Sequence, residues 1–398
     1  MKIGILTYHT PYNFGANLQA FASSQYLLSL GYEVKIIHYK PEEGIDVYKQ
    51  IVPKEQWCGH DNFINTRLPL TTLATNEEAL VNIVVKEKFD GIIVGADAVW
   101  CYSPKRTKIP VYFMDWLFQS DKICNIAVAS MSVAHMGKGF LHLDNNKREQ
   151  VCNAIDKFTY ITVRDKWTQR VVNKHLFKGD KRVVHLNPDP VFNIDQFILD
   201  AWDSKGLVKE DDKFILLTLP KNSYRLKHWL STFKKYVNNK GFLVGELPLP
   251  NGVSGLDFDF SVPYPIDPIQ WYLWLKNANG FAGLRFHAVV SCITAGTPFF
   301  SVDSYGNSSL CVRVLNKLGF YRLGGAFDHN SKIYNLLKGT SFQKNRIHGN
   351  IGNISPRKIF DLLMQCNQTE LLLQKEKFVN LFEINLKSIL SEFKKHTP

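Results

Sequence analysis

The chain alternates short, unbroken apolar runs with longer stretches in which apolar residues return every three to four positions. Ile3–Tyr8, Val34–Tyr39, Gly91–Val94, Ile123–Ala129, Tyr160–Val163 and Val183–Leu186 read as buried strands. Between them, Asn17–Leu30, Glu77–Lys88, Arg148–Lys157 and Lys166–Asn173 carry helical spacing, and Gly31 supplies a helix stop. Strands alternating with helices of this length predict a largely parallel sheet with helical crossovers.

A polar, acidic segment over Asn193–Lys213 interrupts the pattern and suits a domain boundary. The pattern then restarts, with strands expected at Phe214–Leu219, Phe242–Gly245, Phe281–Gly283 and Phe299–Val302. The helices between them are expected at Leu226–Val237, Pro268–Lys276 and Ala288–Ala295, and helices dominate from Leu310 onward. In the last stretch, Glu370–His396, the residues Phe378, Phe382, Ile389 and Phe393 share one face, which reads as a helix packed across the domains rather than a membrane anchor. The expected architecture is α/β: two Rossmann-like domains, 1–195 and 210–330, facing across a cleft, with a C-terminal helical segment, 331–398, packing across them.

Composition sharpens this picture. The 398 residues exceed one ordinary domain, and 45% hydrophobic with 21% charged residues is the mix of a packed globular protein. No run approaches the ~20 apolar residues that span a bilayer, and the first residues turn polar too soon for a signal peptide. The 7 cysteines have no close pairing, so reduced thiols and a cytoplasmic setting are expected. The net charge of +12 is spread over nearly every helical segment, with mild clusters at Lys234-Lys235 and Lys394-Lys395. That distribution fits anionic small substrates or the acidic inner face of a membrane, and does not fit nucleic acid.

Ligands of parallel α/β sheets gather at the carboxyl ends of strands, so the polar residues that follow each apolar run are the candidates. They are Asn13 to Asn17, Gly95-Ala96-Asp97 with Trp100, Ser130 and Ser132, Arg164-Asp165, Asp189-Pro190, and Arg285-Phe286-His287. Arg285 and His287 enter the start of a helix, where free N–H groups and the helix dipole favour an anion. Arginine adds a two-pronged grip on phosphate or carboxylate, and histidine can exchange a proton near neutral pH. The same pair could equally bridge domains and cap a helix. Arg164 reads either as an anion ligand or as the partner of Asp165, and Asp97 as an orienting carboxylate or an ordinary cap. Asn13 and Gly15 mark either a close approach to a ligand or a tight turn. No dinucleotide fingerprint, phosphate loop, nucleophile elbow or metal-ligand spacing is present, which favours a reaction without a metal.

The run Asn13-Phe14-Gly15-Ala16-Asn17-Leu18-Gln19-Ala20-Phe21-Ala22 resembles the opening signature of the polysaccharide pyruvyltransferase family. Four further segments fall in the family's order: Ile93 to Trp100, Ala127 to Ser130, Thr162-Val163-Arg164-Asp165, and Gly283-Leu284-Arg285-Phe286-His287. Gly296-Thr297-Pro298-Phe299-Phe300 resembles the strand entry that follows. The likeness implies a two-domain fold like that of the GT-B glycosyltransferases. It also implies transfer of the pyruvyl group of phosphoenolpyruvate onto a sugar, usually as a ketal on two hydroxyls, without metal or redox cofactor. Carried over, Arg285, His287 and Arg164 are the donor-binding and catalytic residues; Asn13, Gly15, Asp97 and Trp100 are the candidates for holding the acceptor. Ala96, Ala98 and Cys101 depart from the family's common Ser, Gln and Asn. No Lys stands in Ser304 to Ser308, and Arg313 lies further along. The acceptor is expected to be a sugar or a lipid-linked oligosaccharide of a bacterial-type surface polysaccharide. The competing readings are a nucleotide-sugar-dependent GT-B glycosyltransferase and an inactive sugar- or anion-binding homologue.

Overall fold

A computed structural model of the protein describes every residue except 42–49, 102–108, 124–125, 135–142, 176–181, 220–223, 304–330 and 397–398. The chain divides into two compact units. The first holds Met1–Gln50, Asp61–Phe197 and Lys377–Pro398, and the second holds Ile51–His60 and Ile198–Glu376. The segment Ser304 to Ser308 and Arg313, like Leu310, lies outside the described residues.

The first unit is built on six strands: β1 (Lys2–Leu6), β2 (Glu33–Ile36), β3 (Gly91–Val94), β4 (Ala127–Val133), β5 (Tyr160–Val163) and β6 (His185–Leu186). They pair in the order β2-β1-β3-β4-β5-β6, and every pairing is parallel. β3 and β4 are buried along their whole length, because helices cover both faces of the sheet and leave no face for alternating polar residues. β4 runs further than its apolar start suggests. Ser130 and Ser132, expected beyond the strand, lie within it and are fully buried. Their hydroxyls are satisfied across the sheet: Ser130 Oγ donates to the Thr162 carbonyl at 3.0 Å and Ser132 Oγ to the Pro188 carbonyl at 2.6 Å.

The second unit contains β7 (Lys213–Thr218), β8 (Phe242–Glu246), β9 (Phe260–Ser261), β10 (Gly280–Gly283), β11 (Phe299–Asp303) and β12 (Arg346–His348). The order β12-β11-β10-β7-β8-β9, again all parallel, is that of the Rossmann fold when read from β9. β9 and β12, and the helix Lys54–Arg67, are additions to the sequence-based pattern. Gln56 on that helix ties it into the second unit. Its side chain donates to the Ile266 carbonyl at 2.7 Å and accepts from the Ile266 amide at 2.8 Å.

The C-terminal helix Gln368–His396 divides at Glu376 between the two units. Within the first, Phe378 packs on Phe192 with ring centroids 4.5 Å apart, and Phe382 meets Tyr26 at 5.4 Å. Phe382, Ile389 and Phe393 are fully buried there. Among the described residues no helix is long and apolar enough to cross a membrane.

Each sheet reverses its direction of growth once. In the first the chain lays β2 on one side of β1 and β3 on the other; in the second β8 lies on one side of β7 and β10 on the other. The loops leaving such neighbouring strands diverge to opposite faces and open a crevice at the carboxyl ends, where ligands of open α/β sheets bind. The two crevices are therefore at the ends of β1 and β3, and of β7 and β10.

Candidate active site

At the β7–β10 crevice the strands pack closely. Gly283 pairs with Thr218, and a Cβ on Gly283 would lie 2.6 Å from the Thr218 carbonyl oxygen, so only glycine fits. Two residues on, Arg285 precedes the helix Phe286–Ala295 with φ 92° and ψ 132°, a backbone conformation costly for any residue with a Cβ. Its side chain is exposed, does not cap the helix, and makes no ion pair among the described residues. Strain of this kind persists only where the surroundings hold it, and here it stands directly before the first helical turn, whose N–H groups have no partner within the helix. His287, the second residue of that helix, is half-buried, with its ring edge-to-face on Phe286 at 5.2 Å. An exposed guanidinium, a helix start and an imidazole thus fall within three consecutive residues.

The end of β5 presents a different arginine. The Arg164 guanidinium gives Nη1 to Asp189 and Nη2 to Asp97, the latter at 3.3 Å, and all three side chains are largely buried. Burial alone would disfavour the charged guanidinium, but Asp189 and then Asp97 outweigh it and raise the Arg164 pKa above the ordinary arginine value. Two carboxylates more than match one arginine, so the cluster offers no surplus positive charge to a phosphate. Asp165, considered as the partner of Arg164, turns instead to the following helix. Its Oδ1 accepts from the Thr168 amide at 2.8 Å and its Oδ2 from the Thr168 hydroxyl at 2.9 Å.

Asp97 follows β3 in the left-handed region, φ 73°, and its carbonyl accepts from the Ala134 amide at 2.8 Å. Gly95 before it has φ 113°, and a Cβ there would stand 2.2 Å from the Met131 carbonyl oxygen. The loop thus carries Asp97 to the β1–β3 crevice in one fixed geometry, with Arg164 holding one of its oxygens.

The remaining expectations fare differently. Asn13 caps the helix Phe14–Ser29: its Oδ1 accepts from the Gly15 amide at 3.0 Å and the Ala16 amide at 3.4 Å, and Gly15 is part of that helix's buried first turn. The Asn13 oxygen is therefore committed to the turn. Trp100 requires correction. It was a candidate for holding the acceptor, but it is fully buried, stacked on Phe113 at 5.6 Å, and its indole N–H donates to the Tyr112 carbonyl at 3.0 Å. Neither its ring face nor its polar edge is left for a sugar, and its contribution is to the core.

Sequence reasoning passed over a polar cluster beside the β1–β3 crevice. Just past β1, His9 is fully buried, and its Nδ1 lies 3.1 Å from the Thr7 carbonyl oxygen. Its Nε2 lies 2.8 Å from Nδ1 of His38, two residues past β2. Gln19 and Asn17, from the first helix, fasten this loop: Gln19 Nε2 donates to the Thr7 hydroxyl at 2.9 Å and the Tyr8 carbonyl at 2.8 Å, and Asn17 Nδ2 to the His9 carbonyl at 2.8 Å. Burial pushes the His9 imidazole down to about 3, and burial with the nearby Lys40 charge lowers His38 as well.

The sequence matches the polysaccharide pyruvyl transferase family over residues 13–305. The chain belongs to that family. Membership makes it a relative of polysaccharide pyruvyl transferases, and the matched span runs from Asn13 to past Arg285 and His287. A search of curated proteins finds no match. Among solved structures, the chain is similar to Arabidopsis thaliana UGT89C1, with TM-score 0.53 and 9% identity over 98% of this chain and 99% of that one. It is similar to a glycosyltransferase from Rickettsia africae, with TM-score 0.52 and 11% identity over 99% and 98% of the two chains. The UDP-GlcNAc 2-epimerase of Methanocaldococcus jannaschii follows with TM-score 0.50 and 11% identity over 96% and 100%. At these identities the likeness establishes the fold: two Rossmann-like domains of the GT-B kind.

Proposed function

We propose that this family member transfers the pyruvyl group of phosphoenolpyruvate to a sugar of a polysaccharide or its lipid-linked precursor, forming a ketal on two hydroxyls and releasing phosphate. The observation that carries the reading is Arg285, exposed and strained at a helix start with His287 beside it. Phosphoenolpyruvate bears a phosphate and a carboxylate, and a guanidinium beside free helix N–H groups matches either anion.

Addition of a first hydroxyl across the double bond places a proton on the methylene carbon and the sugar oxygen on the central carbon. A second hydroxyl then displaces phosphate, whose departure carries off the remaining proton. Arg285 binds the donor and stabilises the charge that collects on the leaving phosphate. His287 moves a proton at the reacting carbon or oxygen. Arg164, assigned to the donor by resemblance, is better placed as a positioning residue. Its charge is taken by Asp189 and Asp97, and it holds Asp97 to orient an acceptor hydroxyl. The reaction needs no metal or redox cofactor. The +12 charge suits work at the acidic inner face of a membrane, where a lipid-linked acceptor is presented.

The test is phosphate release from phosphoenolpyruvate across a panel of sugar acceptors, with Arg285→Ala and His287→Ala beside the wild type. Acceptor-dependent release abolished by both substitutions is expected. Absence of release with every acceptor, together with no heat of phosphoenolpyruvate binding, would transfer the assignment to a nucleotide-sugar-dependent glycosyltransferase. Binding without release would leave an inactive binding homologue.

A further inference from the structure

The hydrogen-bond chain at the end of β1 fixes the protons of two histidines. The Thr7 carbonyl can only accept, so His9 Nδ1, 3.1 Å away, carries the hydrogen. His9 is fully buried and neutral, which leaves its Nε2 with a lone pair. The contact of 2.8 Å between that nitrogen and His38 Nδ1 then requires the hydrogen on His38 Nδ1. A neutral His38 must in turn bear its lone pair on Nε2. That outer nitrogen makes no hydrogen bond to a described residue, and His38 is only half-buried. The inner nitrogen is thus spent on orientation, and the outer one is a base with no hydrogen-bond partner among the described residues, at the carboxyl end of the sheet.

The arrangement has the logic of a nucleophile-activating relay in which a buried group fixes the tautomer of a catalytic imidazole. Here the fixing group is a neutral imidazole instead of a carboxylate. It accepts from His38 Nδ1–H both before and after His38 takes a proton, so the hydrogen bond survives the transfer. The Gln19 and Asn17 contacts to Thr7, Tyr8 and the His9 carbonyl hold the loop that carries the relay. The charged group that acts on both rings is Lys40, which favours their neutral forms and keeps His38 ready to accept.

We propose that His38 is the general base that receives, at Nε2, the proton of the attacking sugar hydroxyl, with His9 as its positioning residue. The step balances within the reaction above, on whose pyruvyl-transfer reading this assignment rests. The O–H bond of the acceptor breaks as its oxygen bonds the central carbon of phosphoenolpyruvate, the double-bond electrons take a proton from His287 onto the methylene carbon, and His38 becomes the imidazolium. The His38 proton then leaves with the departing phosphate, and the proton of the second hydroxyl restores His287. This gives the first domain a chemical part that neither Asn13 nor Trp100 can supply.

The experiment compares wild type, His38→Gln, His9→Gln and His9→Leu by kcat and KM for phosphoenolpyruvate, by calorimetric phosphoenolpyruvate binding, and by long-range 1H–15N spectra of histidine-labelled protein. His38→Gln is expected to lower kcat by about 10²–10⁴-fold while phosphoenolpyruvate binding is retained. His9→Gln can still accept from His38 Nδ1 through its Oε1, so it should keep most of the activity that His9→Leu loses. The spectra at neutral pH should show both rings with hydrogen on Nδ1. A wild type that releases phosphate, with His38→Gln as active as wild type, overturns the base assignment and leaves the pyruvyl-transfer reading intact. So does a His38 ring found with its hydrogen on Nε2. A wild type that releases no phosphate overturns both.

Discussion

At the end of β5 an arginine is sealed between two carboxylates, whereas at the end of β10 another stands exposed with no ion pair among the described residues. Both are at strand ends, and both follow an apolar strand in a parallel sheet. What separates them is where the balancing charge comes from. Arg164 finds its counter-charge inside its own domain, so removing it would leave buried carboxylates exposed to the full cost of desolvation. Arg285 stands on a backbone that costs free energy to maintain, and no described residue forms an ion pair with it. An arginine in a family motif is therefore not one kind of residue. Burial and partners decide whether it supports the fold or the ligand.

The sharpest break between the two is expected in stability. Arg164→Met should destabilise the protein by about 3–5 kcal/mol, the cost typical of stranding one member of a buried ion pair. Urea denaturation followed by tryptophan fluorescence reads this directly, and an unchanged midpoint would mean that Arg164 is not bound as described. Arg285→Ala should leave that midpoint near wild type while lowering phosphate release by about 10²–10³-fold, the usual effect of removing one group that stabilises developing charge.

The pH dependence sharpens the comparison inside the core. His9 and His60 are each held down to about 3 from 6.5 by burial, so the folded protein refuses protons that the unfolded chain accepts below 6.5. Between those values the unfolded state binds more protons. Stability should be fullest above 6.5 and fall as pH is lowered toward 3, by up to about 1.4 kcal/mol per pH unit for each histidine. Unfolding midpoints at a series of pH values check the sign, and His9→Gln should flatten the slope. The smallest effect is expected from Arg285→Gly. Glycine adopts a positive φ without strain, so the variant should gain about 1 kcal/mol in stability while losing activity. A gain in both would remove the link between strain and function.

The fold was legible because strands buried on both faces print as unbroken apolar runs, as Gly91–Val94 and Phe281–Gly283 do. β9 and β12 were not, because a pair of residues, Phe260–Ser261, and the triplet Arg346–His348, with a single apolar residue between two basic ones, carry no such run. The helix Lys54–Arg67 has too few apolar residues to show a face. At the site, Arg285 and His287 announced themselves by following a strand into a helix. The partners of Arg164 lie 25 and 67 residues away, and no local spacing could reveal them. His9 and His38 were within reach. His9 stands just beyond the run Ile3–Tyr8, the position that singled out Asn13 and Asp97, whereas His38 falls inside the run Val34–Tyr39 and reads as the tail of a strand.

The C-terminal helix bears on how the protein is made. Its residues from Lys377 onward complete the first unit, whose opening strand is synthesised hundreds of residues earlier. On the ribosome the second unit, contained within Ile51–Glu376, has all its sequence available before the first can cover its core with Phe382, Ile389 and Phe393. The domain that begins first is the last to be finished, and its unfinished apolar surface must be kept from aggregating throughout translation.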